Sequence, residues 1–132
     1  MTRNLFAMLE NKLVETAVTA ARPSAPGDGV DVTSWRTNGF SGASAAVMLK
    51  GSAAATVTSP TDGAQGVELW GYVLGKWRLI VELRDGRDIT VDADRGYAQE
   101  ANVIGVFERL AIAGTVSAGA VTGQIAPIEG WS

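Results

Sequence analysis

The chain has 132 residues, long enough for one domain that buries a core of its own. Its 11 basic and 14 acidic residues are scattered and give a net charge of −3, which argues against sequence-wide attraction to nucleic acid or to an anionic membrane. Cysteine and histidine are both absent, so disulfides, thiolate or histidine metal sites, and Ser-His-Asp or Cys-His catalysis are excluded.

The stretch NLFAMLENKLVET (4–16) predicts a short amphipathic helix. Leu5, Leu9 and Leu13 recur at i, i+4 and i+8, Phe6 and Met8 lie beside them, and Asn4 or Thr2 supplies a cap. Charges inside this apolar stretch do not fit a secretory signal peptide. A helix this short is marginal in water unless its apolar face is covered, so it must dock on its own domain or on a neighbour. ARPSAPGDG (21–29) follows, with two prolines, two glycines and a serine, and reads as a linker. Residues 1–29 are thus expected to form an arm and linker, a helical or extended segment ahead of a domain spanning 30–132.

That domain reads as β-rich. VDVTSW alternates from Val30, and Trp35 and Phe40 flank RTNG as aromatic anchors of a loop. SAAVMLKGSAAATVTS (44–59) fits two short strands around Gly51 or a strand and a loop, its alanines also allowing a short helix, and SPTDGAQG (59–66) reads as a turn-rich loop. In VELWGYVLGKWRLIVELRDG (67–86), period-two patterns on both sides of LGK predict a hairpin. Asp85-Gly86 suits a second tight turn, after which DITVD returns, so 67–92 reads as a three-stranded meander. Trp77 falls on the Leu79–Val81–Leu83 face and reads as a core residue. Trp70 and Tyr72 fall on the Glu68 face, which is either covered by another sheet or exposed.

DADRGYAQEANVIG (92–105) is the longest polar connection. VIGVFERLAIAGTV breaks alternation between Phe107 and Leu110, suggesting a bulge or turn. In the last strand, Val121 and Ile125 precede Pro127, which points to an edge position or to the strand's end. Seven or eight short strands with turn punctuation predict a mainly β fold, a β-sandwich or barrel, with a jelly-roll-like sandwich as the chosen form. No apolar run approaches the roughly 20 residues that span a bilayer, so no membrane partner is expected.

Catalytic equipment is not visible. Lys12, Lys50 and Lys76 lie outside any Ser-x-x-Lys setting, and phosphate-loop and dinucleotide fingerprints are absent. Asp88 and Asp92 would share one strand face and could bind Ca²⁺ or act as a carboxylate pair, but Arg84, Arg87 and Arg95 lie close enough to make this a solvated, neutralised strand end. Trp70 with Tyr72 could stack sugars as in carbohydrate-binding β-sandwiches, with packing between sheets the simpler role. The chain therefore reads as non-enzymatic, with no cofactor and no metal.

Three features together resemble capsid decoration (cement) proteins of tailed bacteriophages. They are the apolar N-terminal arm, the Ala/Gly/Val-rich β body without histidine or cysteine, and the tail GVFERLAIAGTVSAGAVTGQIAPIEGW (105–131). The resemblance implies a virion protein on the capsid exterior, self-associating as homotrimers, whose partner is the major capsid protein and whose contacts reinforce the shell. Other virion roles (tail, neck or fibre component) and a carbohydrate-binding module are the alternatives. On the first reading the partner interface comprises Leu5, Phe6, Met8, Leu9 and Leu13 of the arm, Trp70 and Tyr72 of the outer sheet face, and Trp131 near the C-terminus.

Overall fold

The computed structural model describes residues 13–37, 44–102 and 107–128. It is mainly β, with 54% strand and 7% helix, too little helix to form a layer. The strands are β1 (Val14–Thr19), β2 (Val30–Asp31), β3 (Ser44–Gly51), β4 (Ala55–Thr58), β5 (Glu68–Val73) and β6 (Lys76–Glu82), then β7 (Ile89–Val91), β8 (Tyr97–Ala101), β9 (Arg109–Ala113), β10 (Thr115–Val116) and β11 (Val121–Ile128). One short helix, α1 (Thr33–Thr37), follows β2. The larger sheet runs β6-β5-β9-β1-β11-β3-β8 and curls, with β2 also paired to β9; the smaller runs β10-β4-β7. Together they make a sandwich- or barrel-like fold. Leu49, Leu69, Leu83, Ile89, Leu110, Ile112 and Ile125 are fully buried between the layers.

The arm requires correction at its C-terminal part. Val14–Thr19 is not helix but strand β1, in the interior of the larger sheet. It pairs antiparallel with β11 from Val14↔Ile125 to Ala17↔Thr122, and parallel with β9 at Val18↔Ile112 and Thr19↔Ala113. The domain is therefore under way by Val14, not from Val30. The leucine repeat stops at Leu13, and four of the next six residues are β-branched, which favours a pleated, half-buried strand over a helix. Residues 1–12, which include 4–12 of the expected helix, lie outside the described residues.

The hairpin is present. Leu74 and Gly75, at φ 53° and 76°, form the two-residue mirror-image turn whose twist matches the flanking strands. The third strand of the expected meander is not there: β7 leaves β6 and pairs with β4, from Ala55↔Val91 to Val57↔Ile89, in the smaller sheet. Arg84, Asp85 and Gly86 all take positive φ (52°, 53° and 79°), which throws the chain across. Gln99 Oε1 accepts the Arg84 backbone N–H at 2.7 Å, and the Arg84 guanidinium donates to the Asp88 carbonyl at 2.5 Å. Gly51 separates β3 from β4 as expected, but the two strands belong to different sheets.

Strand β11 is not an edge strand, because β1 and β3 flank it. Pro127 is tolerated because it sits opposite Ala45, two residues beyond the last β1 pairing at Ile125. The polar connection 92–105 contains β8, an end strand of the larger sheet. VDVTSW contributes only two strand residues. Asp31 Oδ1 accepts from the Thr33 N–H (2.8 Å) and hydroxyl (2.6 Å) and turns the chain into α1, which buries Trp35.

Candidate functional site: a strapped aromatic face

The hairpin places its aromatic residues differently from the alternation alone. Leu69 pairs with Val81, but Trp70 pairs with Leu79, leaving Ile80 as an extra residue in β6. This β-bulge reverses the phase of the strand. Val81 thus faces the core with Leu69, whereas Leu79 and Trp77 lie opposite Trp70 and Tyr72 on the outer face. Trp77 is therefore not a core residue. Its ring meets Tyr72 with centroids 5.2 Å apart and planes tilted by 54°. All three aromatics are half-buried, and Leu79 is exposed.

The segment between β1 and β2, expected as a linker, lies across this same face as a strap. It begins where the Thr61 N–H donates to the Ala20 carbonyl (2.8 Å). Arg22 then reaches Glu68 with two parallel bonds, Nε to Oε1 at 2.8 Å and Nη2 to Oε2 at 2.7 Å. Trp70 Nε1 donates to Glu68 Oε1 at 3.0 Å, and the Arg22 guanidinium stands 5.4 Å from the centre of the Trp70 ring. Further along, Asp28 Oδ2 accepts the Ser24 and Ala25 N–H groups, both at 2.9 Å, and closes a turn. Trp77 Nε1 donates to the Ala25 carbonyl at 2.8 Å. Arg109 of β9 anchors the far end, donating to the carbonyls of Asp28 (2.7 Å), Gly27 (3.0 Å) and Gly29 (3.1 Å). The prolines and glycines here serve tight turns rather than flexibility, because three side chains from the sheet hold their carbonyls and guanidinium in place. Beneath the strap lies a cleft of about 280 Å³ between β1 and β9, lined by Thr16, Thr19, Arg22, Ser24, Asp28 and Ala111 among others.

Glu68 is 2% exposed, so its charge must be matched. The two Arg22 bonds hold its carboxyl below the usual range, against the opposing effect of burial, with help from the Trp70 N–H. Asp28 is lowered by the Ser24 and Ala25 N–H groups, and Asp31 by the Thr33 hydroxyl and N–H. All three have folded-state values below their unfolded ones. Their stabilisation is therefore complete above the unfolded carboxylate range and is lost as pH falls through the folded values. Tryptophan fluorescence is expected to stay constant from neutral pH down to about pH 5, and to report strap release and acid unfolding below about pH 4. A transition between pH 6 and 7 would contradict this, since the chain has no histidine to supply it.

Of the expected interface residues, Trp70 and Tyr72 are brought together, joined by Trp77 and Leu79. Leu13 lies just ahead of β1 and is 40% exposed. Leu5, Phe6, Met8, Leu9 and Trp131, like the loop residue Phe40, lie outside the described residues. Arg22, Glu68 and Arg109 escaped the sequence reading. Arg22 was hidden in an apparent linker, and Glu68 looked like an ordinary outward-facing strand residue. At the proposed carboxylate pair, Asp92 Oδ1 accepts the backbone N–H of Asp94 (2.8 Å) and Arg95 (2.5 Å) and caps a turn. Among the described residues, no group of three or more acidic side chains converges to hold a metal ion.

The fold and this face define a β-sandwich- or barrel-like domain with a pre-ordered aromatic surface. No family model, curated protein or solved structure matches the chain.

Proposed function

We propose that this chain is a non-enzymatic structural subunit of a virus particle. It binds the outside of a tailed-phage capsid and reinforces contacts between major capsid proteins. The observation that carries the reading is the strapped aromatic face. Trp70 and Trp77 present large, half-buried rings whose indole N–H groups are already bonded to Glu68 and Ala25, and Tyr72 packs on Trp77, so contact area is available with little further ordering cost. The resemblance to decoration proteins supplies the particle. Many copies acting together turn a modest contact into strong cumulative reinforcement.

The carbohydrate reading is weaker on this geometry. The Arg22 guanidinium occupies a face of the Trp70 ring, and the Tyr72–Trp77 tilt leaves no coplanar pair for a pyranose to stack on. The test is co-sedimentation with empty mature shells of the phage that encodes the chain. Wild type is expected to pellet with the shells. Leu79→Glu, an exposed change that leaves the core untouched, is expected to weaken pelleting at least tenfold, roughly the loss of one well-placed apolar contact. Equal pelleting of this variant would remove the aromatic face from the interface, and specific binding on a glycan array would favour the sugar reading.

A further inference from the structure

Among the described residues, four large apolar side chains are exposed, and they fall into two groups. Leu74 and Leu79 belong to the β5–β6 hairpin, whereas Leu13 and Met48 stand on the other half of the larger sheet. There, Val47, Leu49 and Ile125 point into the core, so Ala46 and Met48 of β3 and Ala126 and Ile128 of β11 point outward. The register sets them in rows, with Ala126 opposite Ala46 and Met48 opposite Ala98 of β8. Leu13 directly precedes the Val14↔Ile125 pair, which brings it beside Ala126. The polar pair within this patch is closed on itself, Gln124 Nε2 donating to Glu15 Oε1 at 2.9 Å. The result is an apolar outer face that is open to water at Leu13, Met48 and Ala98.

We propose that residues 4–12 of the same chain dock on this patch, as the amphipathic helix that their leucine repeat predicts. Attachment and reach both point to it. The segment enters β1 through Leu13, which belongs to the patch, so no linker has to be spanned. On the other side of β1 the strap already covers the cleft against β9, which leaves β11, β3 and β8 as the open direction. Nine helical residues extend about 13 Å, and the three strand spacings from β1 to β8 measure about 14 Å. In this arrangement Leu9 and Leu5 follow Leu13 across β11 and β3 in steps of about 6 Å. Arg3, ahead of the Asn4 cap, arrives over β8. There Glu100, opposite Ala46, is exposed and has no ion pair among the described residues. A tethered segment meets the patch at high effective concentration, so modest contacts suffice. The docking stands independently of shell binding, which rests on the aromatic half of the sheet.

Hydrogen exchange on the full chain tests it. The amides of residues 8–12, which have partners within such a helix, are expected to exchange at least tenfold more slowly than in a free peptide of the same sequence. Met48→Glu, an exposed change, is expected to remove that protection while β3 and β11 keep theirs, which separates lost docking from lost folding. Cross-linking identifies the face and the copy. The chain has no cysteine, so only introduced thiols react with a short bismaleimide. Leu9→Cys combined with Ala46→Cys is expected to link within one copy, and Leu9→Cys combined with Leu79→Cys to stay unlinked. Unprotected amides in wild type overturn the docking. Protection that survives Met48→Glu, or a first pair that fails to link while the second links, overturns the choice of face. Dimers as the main product of the first pair overturn docking within the same copy.

Discussion

Gly29→Ala is expected to destabilise the fold by about 3 kcal/mol or more, combining a left-handed backbone cost of about 1–2 kcal/mol with overpacking of similar size. Gly29 has φ 69°, and an added Cβ would run into the carbonyl oxygen of Leu110 and lie 2.9 Å from the Ala111 Cβ. Neither neighbour yields easily, since one is backbone and the other is buried. Relief requires Gly29 to lift from β9, which would pull its carbonyl from Arg109 and loosen the strap at its anchored end. Gly75→Ala is the control. Gly75 has a similar φ of 76°, but nothing lies within 4 Å of its Cβ position, so only the backbone cost of about 1 kcal/mol applies. Urea denaturation followed by tryptophan fluorescence compares the two. Equal losses would mean that the close approach at Gly29 does not constrain the strap.

Leu69→Ala is expected to cost about 2–5 kcal/mol, the range for emptying a buried leucine site. Leu79→Ala should change stability by no more than about 0.5 kcal/mol. Both are leucines of one hairpin, and simple alternation on β6 would put Leu79 inward with Val81. The bulge at Ile80 makes the difference. Leu69 is fully buried, whereas Leu79 is 47% exposed. The same denaturation experiment reads both variants. A loss at Leu79 comparable to that at Leu69 would place it in the core and remove the phase reversal, and with it the aromatic face.

The strap and the face are mutually dependent. Arg22 is drawn to Glu68, Trp77 holds the Ala25 carbonyl, and Arg109 gathers three carbonyls at the far end. Trp77 is fixed by its bond to the Ala25 carbonyl of the strap, and Trp70 by Glu68, which Arg22 of the strap holds in place. The strap in turn holds its course because the sheet presents donors along it. Such ordering before contact is what lets a surface of modest size bind without a large entropic penalty.

Much of the fold was legible in the chain. The β-rich class, the strand break at Gly51, the hairpin turn at Leu74-Gly75 and the absence of histidine and cysteine chemistry all follow from periodicity, turn residues and composition, which act over a few residues. The candidate site was legible only in part. Trp70 and Tyr72 were placed on one face, but their companions Trp77 and Leu79 were assigned to the core, because one unpaired residue in β6 shifts the phase and leaves no local signature. Whether Val14–Thr19 is the tail of an arm or an interior strand depends on β9 and β11, which lie about a hundred residues away. Whether Ala21–Gly29 is a free linker or a clamped strap depends on Glu68, 46 residues from Arg22, and on Arg109, more than 80 residues from Gly27. Local propensity therefore determined which segments are extended and where they turn. Only the tertiary structure decided which strands pair, which face each aromatic takes and what holds the strap, because those choices rest on long-range hydrogen bonds and burial that no short window contains.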